Sequence, residues 1–77
     1  MSELTVVKYT DILLQNKSVD FTYNGFHYEI FKSADNGYIV NMYGSSERDE
    51  DGYYLDENII DGGICYGNAM DAIRFMT

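Results

Sequence analysis

The chain has 77 residues, with thirteen Asp and Glu against five Lys and Arg, for a formal net charge of -8 and a pI of about 4.2. A chain this short has room for one hydrophobic core, so a single domain over residues 1–77 is expected. The charge excludes direct nucleic-acid binding, whose affinity comes from Lys and Arg neutralising phosphates, and adhesion to anionic membrane surfaces, which draw basic segments.

Hydrophobic residues make up 45% and charged residues 23%, a composition that folds. Eight Tyr and four Phe supply large rings that bury much area per ordered residue. Cys65 is the only cysteine and the usual Cys/His zinc spacings are absent, so neither a disulfide, a metal nor another cofactor is expected. A lone thiol, and an N-terminus without a basic stretch or a long apolar run, point to the cytoplasm.

In chain order, residues 2–17 carry two signals. Leu4-Thr5-Val6-Val7 is readable as extended, whereas Val6, Tyr9, Leu13 and Leu14 recur at near-helical spacing. A helix is expected, best defined over residues 11–16, with Asn16-Lys17-Ser18 as its break. Residues 19–30 then predict a β-hairpin around Asn24-Gly25, a pair that accepts the positive φ of a type I′ turn at both positions. The two-residue loop sets Tyr23 against Phe26, Phe21 against Tyr28 and Val19 against Ile30. All six share one face, while Asp20, Thr22, His27 and Glu29 share the other. A one-residue slip destroys that segregation.

A second turn is expected at Asp35-Asn36-Gly37. A three-residue loop with a left-handed Gly37 pairs Ala34 with Tyr38, Lys32 with Val40 and Ile30 with Met42, and so continues the apolar face. Phe31, Ile39 and Tyr43 fall on the opposite face, which is then either covered by a helix or a contact surface. Beyond Gly44 the chain turns polar and acidic through Ser45–Gly52. A short strand at Tyr53-Tyr54-Leu55, a turn at Asp56-Glu57-Asn58, and turn or cap roles for Gly62, Gly63 and Gly67 are expected. Asn68, with Asp71 three residues on, is close to a capping box, and Ala69, Ala72, Ile73 and Met76 form one helical face. The expected fold is α+β: an N-terminal helix, an antiparallel sheet of three to four strands and a short C-terminal helix.

The charge is not spread evenly. Residues 47–61 hold seven acids (Glu47, Asp49, Glu50, Asp51, Asp56, Glu57 and Asp61) against Arg48 alone, so six of the eight net negative charges lie there. Such a run is either a solvated loop that aids solubility or a docking surface for a basic partner, in the extreme a nucleic-acid mimic. Tyr53 and Tyr54 lie inside it, as aromatic anchors do in protein interfaces. The same stretch approaches a calcium-loop pattern, with Glu47, Asp49 and Asp51 alternating and Gly52 sixth. It departs from that pattern at the first ligand, which should be Asp, and at the twelfth, where Asn58 replaces the bidentate Glu.

His27 and Cys65 are the sole histidine and cysteine, but nothing local marks them as a nucleophile and base. Asp20 and Glu29 are expected as direct cross-strand neighbours, a like-charge pair that a basic partner would neutralise. No catalytic motif is present, and a non-enzymatic protein is expected.

In its whole profile of tiny size, strong acidity, Tyr-rich sheet and missing catalytic motif, the chain resembles the small acidic inhibitors of phages and mobile elements, anti-CRISPR proteins in particular. The resemblance implies a stoichiometric inhibitor that occupies a basic nucleic-acid-binding surface of a protein or ribonucleoprotein complex, such as a Cas effector. On that reading Glu47, Asp49, Glu50, Asp51, Asp56 and Glu57 meet basic side chains, with Tyr53 and Tyr54 as anchors. The alternative is a structural or regulatory phage protein that forms a homodimer through Phe31, Ile39 and Tyr43.

Overall fold

A computed structural model describes residues 2–77. Helix α1 runs over Glu3–Asn16, with the Ser2 hydroxyl accepting from Thr5 N at 3.2 Å and Lys17 closing it in a left-handed conformation. The β-branched stretch Leu4–Val7 is therefore helical. Burial decides against its local preference, because only a helix brings Val6, Thr10 and Leu13 to one inward stripe. Thr10 satisfies its hydroxyl in that apolar setting by donating to the Val6 carbonyl at 2.7 Å.

Four antiparallel strands follow as a meander: β1 (Ser18–Tyr23), β2 (Phe26–Lys32), β3 (Tyr38–Tyr43) and β4 (Ile59–Cys65). The first hairpin has the expected register, Val19 with Ile30, Phe21 with Tyr28 and Tyr23 with Phe26. Asn24 and Gly25 both have positive φ, 55° and 85°.

The second register differs from expectation by two residues: Ile30 pairs with Val40 and Lys32 with Tyr38. The connection is correspondingly longer, with Ser33 N donating to Gly37 O at 3.1 Å. The Lys32 ammonium donates to the carbonyls of Asp35 and Gly37 and sits 5.3 Å from the Tyr38 ring centre. Gly37, at φ +92°, lies against the Cys65 backbone so closely that a Cβ would collide with its carbonyl. A shift of two keeps every side chain on its expected face, since the strand period is two.

The fourth strand passes through Gly62-Gly63, which are strand residues and not a turn. Here the glycines give room to neighbours: a Cβ on Gly63 would meet the Phe75 ring at 2.9 Å, and one on Gly62 the Asn41 side chain at 2.9 Å. A bulge between Met42 and Tyr43 adds Ile60 to β4. Helix α2, Ala69–Arg74, starts with the expected reciprocal box: Asn68 Oδ1 accepts from Asp71 N at 2.9 Å and Asp71 Oδ2 from Asn68 N at 3.1 Å.

Both helices pack together on one face of the sheet. Val6 and Leu13 from α1, Ala69, Ala72 and Ile73 from α2, and Val19, Phe21, Tyr28, Ile30, Val40 and Cys65 from the strands form the core. The Tyr9, Phe21 and Tyr28 rings stack in series at 4.7 and 5.2 Å through it. The chain is thus an α+β domain with helices on one side of a four-stranded antiparallel sheet. No helix among the described residues is long and apolar enough to cross a membrane.

Candidate functional site

The second face of the sheet carries three rows of side chains. One row runs Ser18, Phe31, Ile39, Ile64; the next Asp20, Glu29, Asn41, Gly62; the last Thr22, His27, Tyr43, Ile59. Among the described residues no helix covers them. The acidic segment covers part of them, lying over Asp20, Glu29, Phe31 and Tyr43 and leaving Ile59 and Ile64 open.

After β3, Gly44 N donates to Asn58 O at 2.9 Å and closes the base of an excursion over residues 45–57. Its tip is a tight turn. Gly52 N donates to Asp49 O at 3.0 Å, Asp49 N to Tyr53 O at 2.8 Å, and Gly52 takes φ +87°. The Asp49 carboxylate accepts from the amides of Asp51 and Tyr53 at 2.9 and 3.0 Å, so it acts as the brace of that turn. Below the tip a single bridge joins Arg48 to Tyr54 where a strand over Tyr53–Leu55 is expected. We call this excursion the flap.

Two side chains hold the flap to the sheet. Tyr54 is buried, stacked on Tyr43 with ring centres 4.7 Å apart and planes 19° from parallel. Arg48 lies over the outer side of the clasp, its guanidinium carbon 4.0 Å from the Tyr54 ring centre. The same guanidinium donates to Gly52 O at 2.8 Å and pairs with Asp20 at 3.4 Å. The one cation of the acidic segment is thus turned inward, toward an acid of β1.

Between the flap and the sheet lies an open cleft of about 360 Å³. Asp20, Glu29 and Phe31 line its sheet side, and Arg48, Gly52 and Tyr53 its flap side. Glu29 is half-buried, and burial first, then Asp20 directly opposite, push its carboxyl above the ordinary value of 4.5. Hydrogen bonds from Asn41 and from the Tyr43 hydroxyl, at 3.4 Å for the latter, and the more distant Arg48 charge pull it partly back. Burial likewise raises the Tyr43 phenol, with Glu29 adding to the shift.

The residues singled out from the sequence divide into three groups. Glu47, Glu50 and Asp51 on the flap, and Asp56 and Glu57 in the short 3₁₀ turn at its base (Asp56–Asn58), are exposed. None is in an ion pair with another described residue, since those pairs are Arg48–Asp20 and Arg74–Glu3. Asp49 is exposed but braces the turn. The two tyrosines part company: Tyr53 is 65% exposed beside the cleft, while Tyr54 is 7% exposed with its ring closed against Tyr43 and so is not an outward anchor.

His27 shares a hydrogen bond with Thr22, as its register position implies, and stands on the face opposite the buried Cys65. A nucleophile–base pair between them is therefore ruled out by the sheet. Among the described residues no three His, Cys, Asp or Glu side chains converge to hold a metal ion. Sequence reasoning passed over Arg48 and Tyr43 as the elements that fasten the flap. The available signal was Arg48 itself, a lone cation amid seven acids.

The chain matches no protein-family description, and neither the curated proteins nor the solved structures compared with it show a significant similarity.

Proposed function

We propose that this protein acts by binding and not by catalysis, docking its flap on the basic, nucleic-acid-binding surface of a partner complex in the manner of the anti-CRISPR inhibitors its profile resembles. One observation carries this reading. The flap is fastened to the sheet by Tyr54 and by its only cation, Arg48, which pairs with Asp20 and leaves Glu47, Glu50, Asp51, Asp56 and Glu57 exposed without an ion pair among the described residues. An exposed display of carboxylates suits a groove lined with Lys and Arg, whose focused field steers such a domain into place.

The test is displacement of target DNA from a panel of Cas effector ribonucleoproteins, followed by gel shift at low and high salt. The wild-type chain should displace DNA most strongly at low salt. Reversing Glu47, Glu50 and Asp51 to Lys should abolish displacement with the thermal melt unchanged. Displacement that survives the triple reversal removes the reading. Asp49 is spared in this design because it braces the turn.

A second reading rests on a separate observation. Ile64 of β4 is 48% exposed in one row with the half-buried Ile39 and Phe31, an apolar patch whose Ile64 end the flap leaves open, while Tyr43, expected in the same surface, is buried against Tyr54 and is not part of it. A homodimer that buries this patch would persist at high salt in sedimentation equilibrium and dissociate on Ile64→Lys.

A further inference from the structure

We propose that the cleft between the flap and the sheet is a receptor for one arginine side chain of the basic partner, held between the Glu29 carboxylate and the rings of Phe31 and Tyr53. The inference rests on the reading that the partner is basic, and it adds where a single cation of that partner is bound.

Three features of the cleft lead to this assignment. The first is charge. Two carboxylates, Asp20 and Glu29, face each other across β1 and β2, and the cleft holds one guanidinium, which pairs with Asp20. Glu29 is left without an ion pair among the described residues, although it is the more enclosed of the two acids. Its carboxyl carries the cost of burial and of the neighbouring Asp20, and the attraction of an incoming cation offsets both.

The second feature is shape and chemistry of the walls. Phe31 and Tyr53 place aromatic surface beside the carboxylates. A guanidinium suits such a mixed wall better than an ammonium, because it is planar, more weakly hydrated, stacks on rings and presents a fork of donors to a carboxylate. The chain displays this chemistry itself at the wall of the same cleft, where Arg48 lies on the Tyr54 ring and reaches Asp20. The third feature is size: about 360 Å³ is at the small end of the range for ligand clefts, and Tyr53 at its rim is open to an arriving chain.

The test uses the folded protein, ¹⁵N- and ¹³C-labelled, titrated with N-acetyl-arginine methylamide and followed by NMR. Saturable shifts should centre on Glu29, Phe31 and Tyr53. The uncharged citrulline analogue should produce none there, and the lysine analogue weaker ones. Glu29→Gln should weaken the arginine response about tenfold, and Tyr53→Ala should weaken it without altering the core resonances. The proposal is overturned if the citrulline analogue gives the same shifts, if the lysine analogue binds as well, or if the arginine shifts lie on Glu47, Glu50, Asp56 and Glu57 with Glu29 silent. The triple reversal of Glu47, Glu50 and Asp51 separates the two readings. It spares the cleft, so arginine binding there should persist even where docking to the partner is lost, and lost docking with intact arginine binding locates a failure in the outer carboxylates alone.

Discussion

The two faces of the sheet are covered by different means. On one, α1 and α2 bury aliphatic and aromatic side chains to a few per cent exposure, with Ile30 and Ala72 fully enclosed. On the other, one segment of irregular chain is fastened by a single ring stack, a cation over that stack and an exposed ion pair. The first face draws on apolar area, which is non-directional and large in sum. The second draws on one buried ring stack and on exposed contacts of Arg48, the latter worth little by themselves. A domain of this size therefore places its stability on the helical side and keeps the flap side for display. Local opening should be confined to the flap.

Breaking the helical side has the largest expected effect. Ile30→Ala removes a fully buried side chain at the middle of the core and should cost about 2–5 kcal/mol, a large share of the stability of a domain this small, measured by urea unfolding followed by circular dichroism. Breaking the flap clasp should cost less and act locally. Tyr54→Ala releases only the flap, so it should raise amide exchange over residues 45–57 while the amides of Ile30 and Val40 keep their protection. Global unfolding of Tyr54→Ala to the extent of Ile30→Ala would show that the two faces form one cooperative unit.

The smallest expected effect sharpens the contrast through pH. Glu29 titrates above its ordinary value of 4.5 because burial and Asp20 oppose its charge. The folded state therefore holds its proton more tightly than the unfolded chain, and Glu29 lowers stability as pH rises from the ordinary carboxylate range through its raised pKa. Glu29→Gln should be more stable than wild type at pH 7, with the difference vanishing below the ordinary carboxylate range, as read from thermal melts across pH. An unchanged difference at low pH would mean that the substitution acts through packing.

Legibility in the sequence followed the range of the interactions involved. The first hairpin was readable to the residue because its signals are local: a period-two alternation on both strands and a turn pair that selects its own geometry. The box at Asn68 and Asp71 was readable for the same reason, since its partners are three residues apart. The second register was misread by two residues because Gly37 is positioned against Cys65, a contact 28 positions away. Gly62-Gly63 looked like a turn because their role, giving room to Asn41 and Phe75, depends on elements brought alongside from elsewhere in the chain.

The candidate site divides along the same line. The sequence by itself determined the charge of the acidic segment, the alternation that makes one sheet face apolar, and the cap that starts α2, because composition and short-range spacing carry all three. Only the tertiary structure decided that this segment folds back over the second face and that Tyr54 closes inward while Tyr53 stays open. It also decided that Arg48 turns from its own acidic neighbours to Asp20. Each of these outcomes depends on where β1, β2 and β3 stand when the flap arrives. The Tyr43–Tyr54 stack and the Arg48–Asp20 pair join residues 11 and 28 positions apart, so each depends on the partner that the fold brings within reach.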